Sequence, residues 1–263
     1  MTKQTDAVAP GSLAKFEPAG KAALVTGANK GLGREIARRL ASLGMAVFAG
    51  SRDEQRGRAA SNDLRAEGLD VRYLQLDVTD QGSIEAAAEA IDKEFGHLDV
   101  LVNNAGISLD RQRPPSEITV DVLRHTYETN VFGAAAVTLA MLPLLRRSAS
   151  ARIVNMSSTQ SSLSLAADRD HPYGGGPNLL AYNSSKTALN AISLAFANEL
   201  RGTRIKVNSA SPGYVATDLN RHNGGLTVEQ GARVPVYLAT LDDDGPSGAF
   251  IGEDSPQGEP VVW

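Results

Sequence analysis

The sequence predicts a doubly wound parallel α/β fold, one sheet with helices on both faces, and three observations carry that reading. Short runs of apolar and β-branched residues alternate with stretches of helical periodicity along nearly the whole chain. Most of these runs are apolar throughout rather than alternating, as expected of strands covered on both faces. The first run ends directly in a glycine-rich turn that opens a helical stretch.

Residues 1–19 are polar and punctuated by Pro and Gly, with no apolar signal core and no twin arginine, and read as a flexible tail. Ala22–Thr26 is the first strand. Ile36, Leu40 and Leu43 then share one helical face before a stop at Gly44. Further strands are expected at Ala46–Ala49, Val71–Leu76, Val100–Val102, Ile153–Met156 and Ile205–Asn208, with a last edge strand near Ala249–Ile251. No Pro/Ser-rich linker, internal repeat or low-complexity block interrupts the alternation, so residues 20–263 read as one domain.

Composition narrows the function. With 263 residues, 42% of them hydrophobic and 21% charged, disorder as the main state is excluded. Twenty-six basic against thirty acidic residues leave a formal charge of −4, which offers no electrostatic footprint for a nucleic-acid backbone or an anionic membrane. No uncharged apolar run approaches the roughly 20 residues that span a bilayer. The expectation is a soluble, cytoplasmic protein that acts on a small molecule, with no nucleic-acid or membrane partner. Zero cysteines exclude disulfides, thiolate zinc sites and a cysteine nucleophile, so any redox chemistry must be borrowed from a cofactor. Asp242-Asp243-Asp244 reads as a solvated turn rather than a metal site, and no metal is expected. His97 and His125 read as solvated or capping residues, whereas His171 and His222 fall in segments that border the expected substrate and stay open.

In an open parallel sheet ligands settle beyond the carboxyl ends of the strands, where strand order reverses. The first turn there is Gly27-Ala28-Asn29-Lys30-Gly31-Leu32-Gly33, with glycines spaced G-x-x-x-G-x-G. This departs from the G-x-G-x-x-G fingerprint but meets the same demand: a tight turn, backbone close to a pyrophosphate, and helix N-terminal amides facing an anion. About twenty residues on, where an acidic side chain would hold the ribose 2′-hydroxyl of NAD, the chain reads Ser51-Arg52-Asp53. Arg52 and Lys30 would instead meet a 2′-phosphate, which predicts a preference for NADP(H). The alternative is that both cations are solvated and Asp53 grips the ribose.

With these residues in place, the chain resembles the short-chain dehydrogenase/reductase family, and the resemblance covers nearly everything after the tail. Thr26-Gly27-x-x-x-Gly31-x-Gly33 matches the family's cofactor turn, Asp77 with Val78 the residues near the adenine, and Asn103-Asn104-Ala105-Gly106 the segment after the fourth strand. Asn130, Ser158, the pair Tyr182-x-x-x-Lys186, and Pro212-Gly213 followed by Val215 and Thr217 complete the set. Within the family the chain is most similar to NADPH-dependent carbonyl reductases. The resemblance implies a single-domain Rossmann fold and a cofactor held by Gly27, Asn29, Lys30, Gly31, Leu32, Gly33, Arg52, Asp77, Val78, Asn104, Ala105, Gly106, Pro212, Gly213, Val215 and Thr217, together with Tyr182 and Lys186. It also implies that Lys186 holds the nicotinamide ribose and that Asn130 links Lys186 to solvent through a water.

The residues support the chemistry in their own right. Tyr182 and Lys186 are four apart in a segment whose apolar residues keep helical spacing, so both side chains share one face. An ammonium beside a phenol favours the phenolate and should lower its pKa toward neutrality, making Tyr182 the acid/base. Ser158 would stabilise charge on the same substrate oxygen. Alternation sends Ser157 and Ser158 to opposite faces, and the family motif selects Ser158. The loop rich in glycine and proline around Asp168–Pro177 should shape the pocket, and Leu219–Leu226 should form a lid over its other side. In monomeric carbonyl reductases an insertion at the former place covers a pairing face; the present one is shorter, and a monomer rather than a homo-oligomer is the expectation. The reading is therefore reduction of a ketone or aldehyde by NADPH with Tyr182 as proton donor. Its alternatives are an NADP-dependent alcohol dehydrogenase oxidising a sugar, steroid or terpenoid alcohol, and a catalytically silent dinucleotide-binding sensor.

Overall fold

A computed structural model describes residues 15–111, 113–171, 179–253 and 260–263. Seven parallel strands form one sheet: β1 (Ala22–Thr26), β2 (Ala46–Ser51), β3 (Val71–Gln75), β4 (Val100–Asn103), β5 (Arg152–Met156), β6 (Lys206–Ser211) and β7 (Phe250–Gly252), in the order β3-β2-β1-β4-β5-β6-β7. All strands run the same way, so every one of them ends on the same edge of the sheet. Strand order reverses between β1 and β4, which leaves a crevice above that pair.

Side-chain alternation divides the core into two layers. On β1, Ala23 and Val25 join the apolar cluster under α1 (Gly31–Ser42) and the C-terminal helices, while Ala22 and Leu24 join the cluster on the opposite face. The first layer also receives Leu64 of α2 (Glu54–Ala66) and Leu238 of the late helix Arg233–Ala239. The second layer is closed by α3 (Gln81–Phe95), α5 (Ala134–Arg147) and, after the short helix α6 (Leu163–Ala167), α7 (Leu180–Glu199), with α4 (Val120–Tyr127) packed against α7. Helices α4 and α5 are joined without a break by a π-helical turn over Glu128–Gly133. Counted as one, Val120–Arg147 is long and apolar enough to cross a bilayer and includes the uncharged run of residues 129–145, against the expectation that no such run comes near a spanning length; more than half of its most apolar stretch is buried inside the protein.

β1 keeps its expected bounds, while the boundaries of the other strands move by one to three residues, most at β6, which continues through Ser209-Ala210-Ser211. Phe16, within the stretch read as tail, is buried: its amide donates to Asp242 Oδ1 at 2.8 Å and the Arg152 guanidinium lies 4.8 Å from its ring centre. Residues 1–14 of that stretch, and Pro172–Pro177 of the expected insertion, lie outside the described residues. Asp242 and Asp243 are engaged by the Phe16 amide and by buried Arg152, at 3.0 Å in the second case.

Near the carboxyl edge a polar row crosses the sheet on the α5/α7 face. Asn103 and Asn155 are register partners, and Asn155 is paired in turn with Ser209. Asn103 Nδ2 donates to Asn155 Oδ1 at 2.8 Å and to Thr138 Oγ1 at 2.9 Å, and Asn155 Nδ2 donates to Ser193 Oγ on α7 at 2.8 Å. Buried amides of this kind hold their neighbours in one arrangement because an unmet group in a dry layer is costly. The row fixes α5 and α7 to the sheet directly below the crevice. Asn155→Ala is expected to lose about 2–4 kcal/mol of unfolding free energy, the combined effect of a small cavity and orphaned partners, measured by urea titration. A loss below about 1 kcal/mol would show that the row is dispensable.

Candidate active site

The crevice is an open groove of about 1260 Å³ running along the carboxyl edge of the sheet. That exceeds the roughly 300–1,000 Å³ of a pocket for one drug-sized ligand and leaves room for a dinucleotide and a second molecule.

One end is built around the glycine turn. Gly27 and Gly31 have φ of 65° and 52°, a conformation other residues adopt at a cost. A side chain on Gly33 would collide with the Gly27 carbonyl and the Asn104 amide, so glycine is required there by contact rather than by torsion. Asn104 Nδ2 donates to Thr26 O at 2.8 Å, and the amides of Asn104 and Ala105 donate to Thr26 Oγ1 at 3.0 and 2.9 Å, which ties the loop after β4 to the turn after β1. Lys30 stands at the N-cap of α1 but its side chain does not bond the helix amides, which leaves the first amides of a 12-residue helix available to an anion in the groove.

Charges beside this turn sort themselves by partner. Asp53 caps α2 by accepting from the Arg56 amide at 2.9 Å and also takes Arg56 Nε at 2.6 Å, and these bonds hold its carboxyl below the usual carboxylate range. The alternative use of Asp53 as a ribose ligand therefore competes with its capping role. Arg52 lines the groove and makes no ion pair among the described residues. Lys30 is paired with Asp218, whose other oxygen meets His222 Nε2 at 2.7 Å; these two partners lower the Asp218 carboxyl. The Thr217 methyl lies 3.6 Å from where a Cβ on Gly31 would stand, so the segment after β6 comes close to the turn. Arg221 and His222, with φ of 55° and 59°, make the sharp reversal in this segment. A bridge from Val215 to Leu226 closes its base. Asp77, Val78, Gly106, Pro212 and Gly213 complete the lining, with Asp77 accepting from Thr79 Oγ1 at 2.8 Å.

At the other end α7 delivers Tyr182 and Lys186, both almost wholly buried. Lys186 Nζ donates to the Met156 carbonyl at 2.7 Å and lies 5.7 Å from the centre of the Tyr182 ring. Burial pushes the Tyr182 phenol up to about 12, opposed by the Arg111 guanidinium and by the Ser158 hydroxyl. Burial likewise pushes the Lys186 ammonium down to about 8. The expected fall in the phenol's pKa is thus reversed here, because losing water costs the phenolate more than its neighbours return. Of the adjacent serines, Ser157 turns into the protein toward Ser161 Oγ at 3.1 Å, while Ser158 faces the groove, caps the turn Thr159–Ser161 and bears on Tyr182.

Asn130 sits on the π-helical turn, a backbone irregularity often found at functional sites. Its Oδ1 accepts from the Ile107 amide at 2.8 Å and its Nδ2 donates to the Ile107 carbonyl at 2.9 Å and to Ser185 Oγ at 3.0 Å. Asn130 and Lys186 converge on Gly106, each 3.4 Å from where a Cβ would stand. The sequence reading missed Asp110. Fully buried, it accepts from the Ala181 and Tyr182 amides at 2.7 and 3.2 Å and caps α7 across 71 positions of chain. Arg111, which lines the groove, was missed with it. Arg56 was missed as well, although an arginine three residues after a capping aspartate is a local signal.

A phosphate-binding turn at one end of a carboxyl-edge groove and a buried tyrosine-lysine pair at the other define a dinucleotide-dependent oxidoreductase. The model of short chain dehydrogenases matches residues 21–224. The chain is 40% identical to Short-chain dehydrogenase/reductase 1 of Saponaria officinalis over 87% of this chain and 92% of that one, and 37% identical to mouse Carbonyl reductase [NADPH] 3 over 88% and 95%. The solved structure of NADPH-bound carbonyl reductase from chicken fatty liver superposes with a TM-score of 0.80 at 28% identity, covering 93% of this chain and all of that one. The chain belongs to the short-chain dehydrogenase/reductase family.

The depressed pKa of Lys186 has a consequence for stability. Between pH about 8 and 10 the unfolded lysine still carries a proton that the folded one has released, so unfolding free energy contributed by this group rises with pH across that window. Relative to Lys186→Met, the parent is expected to gain stability from pH 8 to pH 10 in paired denaturant titrations. A difference that stays flat or falls would mean that the ammonium is not desolvated.

Proposed function

We propose that the protein is an NADP(H)-dependent reductase that converts a ketone or aldehyde to an alcohol, with Tyr182 as the proton donor. The observation that carries this reading is the placement of a buried, protonated phenol with a serine hydroxyl bearing on it, at the far end of a groove whose near end is built for phosphates. Two carbonyl reductases among the relatives, both described as NADPH enzymes, support the cofactor and the reaction class.

The residues present fit this cofactor. Gly33 lets Asn104 and the Gly27 carbonyl approach the start of α1 closely, and the free amides opening α1 suit a pyrophosphate. Arg52 has donors to spare for a 2′-phosphate, with Lys30 and Arg56 adjacent. Asp77 and Val78 border the adenine end, and Asn104, Ala105, Gly106, Lys186, Pro212, Gly213, Val215 and Thr217 the nicotinamide end. When bound, NADPH supplies the hydride for the carbonyl carbon.

The chain's own residues supply the rest. Tyr182, with a pKa near 12, is protonated at neutral pH and holds its proton ready for the carbonyl oxygen. Ser158 donates a hydrogen bond to the same oxygen as charge develops on it. Lys186, near 8, is poised close to neutrality and can replace the proton that Tyr182 gives up. Asn130 fixes the loop at Ile107 that forms the wall beside Lys186.

Tyr182→Phe keeps the ring and deletes the proton; it is expected to lose roughly 10²- to 10⁴-fold in kcat while still binding NADPH, followed by loss of NADPH absorbance with a panel of aldehydes, diketones and cyclic ketones. Turnover near the parent rate would refute the role. Arg52→Asp is expected to lower kcat/KM for NADPH by about 10- to 100-fold and to leave NADH unchanged or improved. An equal loss with both cofactors would place Arg52 outside the 2′-phosphate site.

A further inference from the structure

The substrate end of the groove holds a cation that no step above requires. Arg111 stands in the loop after β4 and lines the groove with Leu109, Ser158, Gln160, Tyr182 and Tyr214. Its Nε is sealed from solvent with no hydrogen-bond partner, and its guanidinium makes no ion pair among the described residues. A buried N–H without an acceptor is costly, and in a binding site it marks where an acceptor is expected.

The carboxylates near enough to supply one are already committed. Neighbouring Asp110 is spent on the first amides of α7 and on Ser108 Oγ at 3.5 Å. The acidic groups that line the groove lie with other partners: Asp53 with Arg56, Asp77 with Thr79, and Asp218 with Lys30 and His222. Beside the phenol, where the Asp110 charge also acts, the groove therefore presents a guanidinium with no ion-pair partner among the described residues, whose planar, paired donors suit recognition of a carboxylate at two points. Exposed Leu109 and Tyr214 flank it with apolar surface for the remainder of a small molecule.

We propose that Arg111 is a specificity-determining residue and that the substrates of this enzyme are aldehydes or ketones bearing a carboxylate, which Arg111 binds while the carbonyl oxygen meets Tyr182 and Ser158. This rests on the reductase reading above. The positive charge of Arg111 also opposes the burial of Tyr182, so a bound carboxylate would partly return the phenol to its high pKa and strengthen its hold on the proton until the carbonyl takes it.

The test compares matched substrates. Kinetics with 3- and 4-carboxybenzaldehyde and their methyl esters are measured for the parent, Arg111→Leu and Arg111→Lys. The parent is expected to favour at least one acid over its ester by about tenfold or more in kcat/KM, chiefly through KM, with the ratio near one in Arg111→Leu and partly restored in Arg111→Lys. Using the acid-to-ester ratio removes any general effect of the substitution on folding or on Tyr182. A parent that shows no preference for either acid, or a preference that survives in Arg111→Leu, overturns the proposal. If neither acids nor esters are reduced, the reductase reading fails, and calorimetric binding of benzoate against benzamide to the NADPH complex decides the present one. Benzoate binding more tightly to the parent but not to Arg111→Leu sustains it; equal or undetectable binding of the two rejects it.

Discussion

The pairing of β1 with β4, instead of with the strand that follows it in the chain alone, is the constraint on which the remaining architecture depends. Because β1 has β2 on one side and β4 on the other, the connections leaving these strands part in opposite directions, and the loop after β1 faces the loop after β4 across a gap. Asn104 spans the base of that gap to Thr26 and Gly27, which holds the glycine turn at a fixed height over the sheet. Everything that meets a ligand is then referred to one rigid edge, as sites on a parallel sheet must be.

At the reacting end the dominant force is desolvation. Two ionisable side chains one helical turn apart are both nearly sealed, and each is driven toward its neutral form: the phenol upward, the ammonium downward. The pair is therefore not a simple ion pair in waiting. It is a neutral phenol beside an ammonium that gives up its proton more readily than a free lysine does. Polar neighbours adjust this balance: Ser158 and Arg111 act on the phenol, and the Met156 carbonyl receives the ammonium.

How far the sequence revealed this depended on the range of the interactions. β1 was legible to the residue, since Ala22–Thr26 is apolar on both faces and ends in a glycine that needs positive φ. The far half of β6 was not, because Ser209 and Ser211 are buried through bonds to Ser193 and Thr159, partners that no local pattern announces. Tyr182 and Lys186 stood out through their spacing, and the glycine turn through its composition. Alternation alone left Ser157 and Ser158 undecided; the contact of Ser157 with Ser161 separates them. The π-helical turn at Asn130 was hidden because the residues that follow it are apolar nearly all round, so a shift of helical phase leaves no mark on the pattern. Asp110 and Arg111 were invisible for the same reason that β6 was: their meaning lies in residues far along the chain.

The capping of α7 by Asp110 also bears on how the enzyme comes into being. The carboxylate belongs to the half of the molecule made first, and the amides it anchors belong to the half made last. The start of α7, and with it the position of Tyr182, is therefore set only where the two halves of the chain meet.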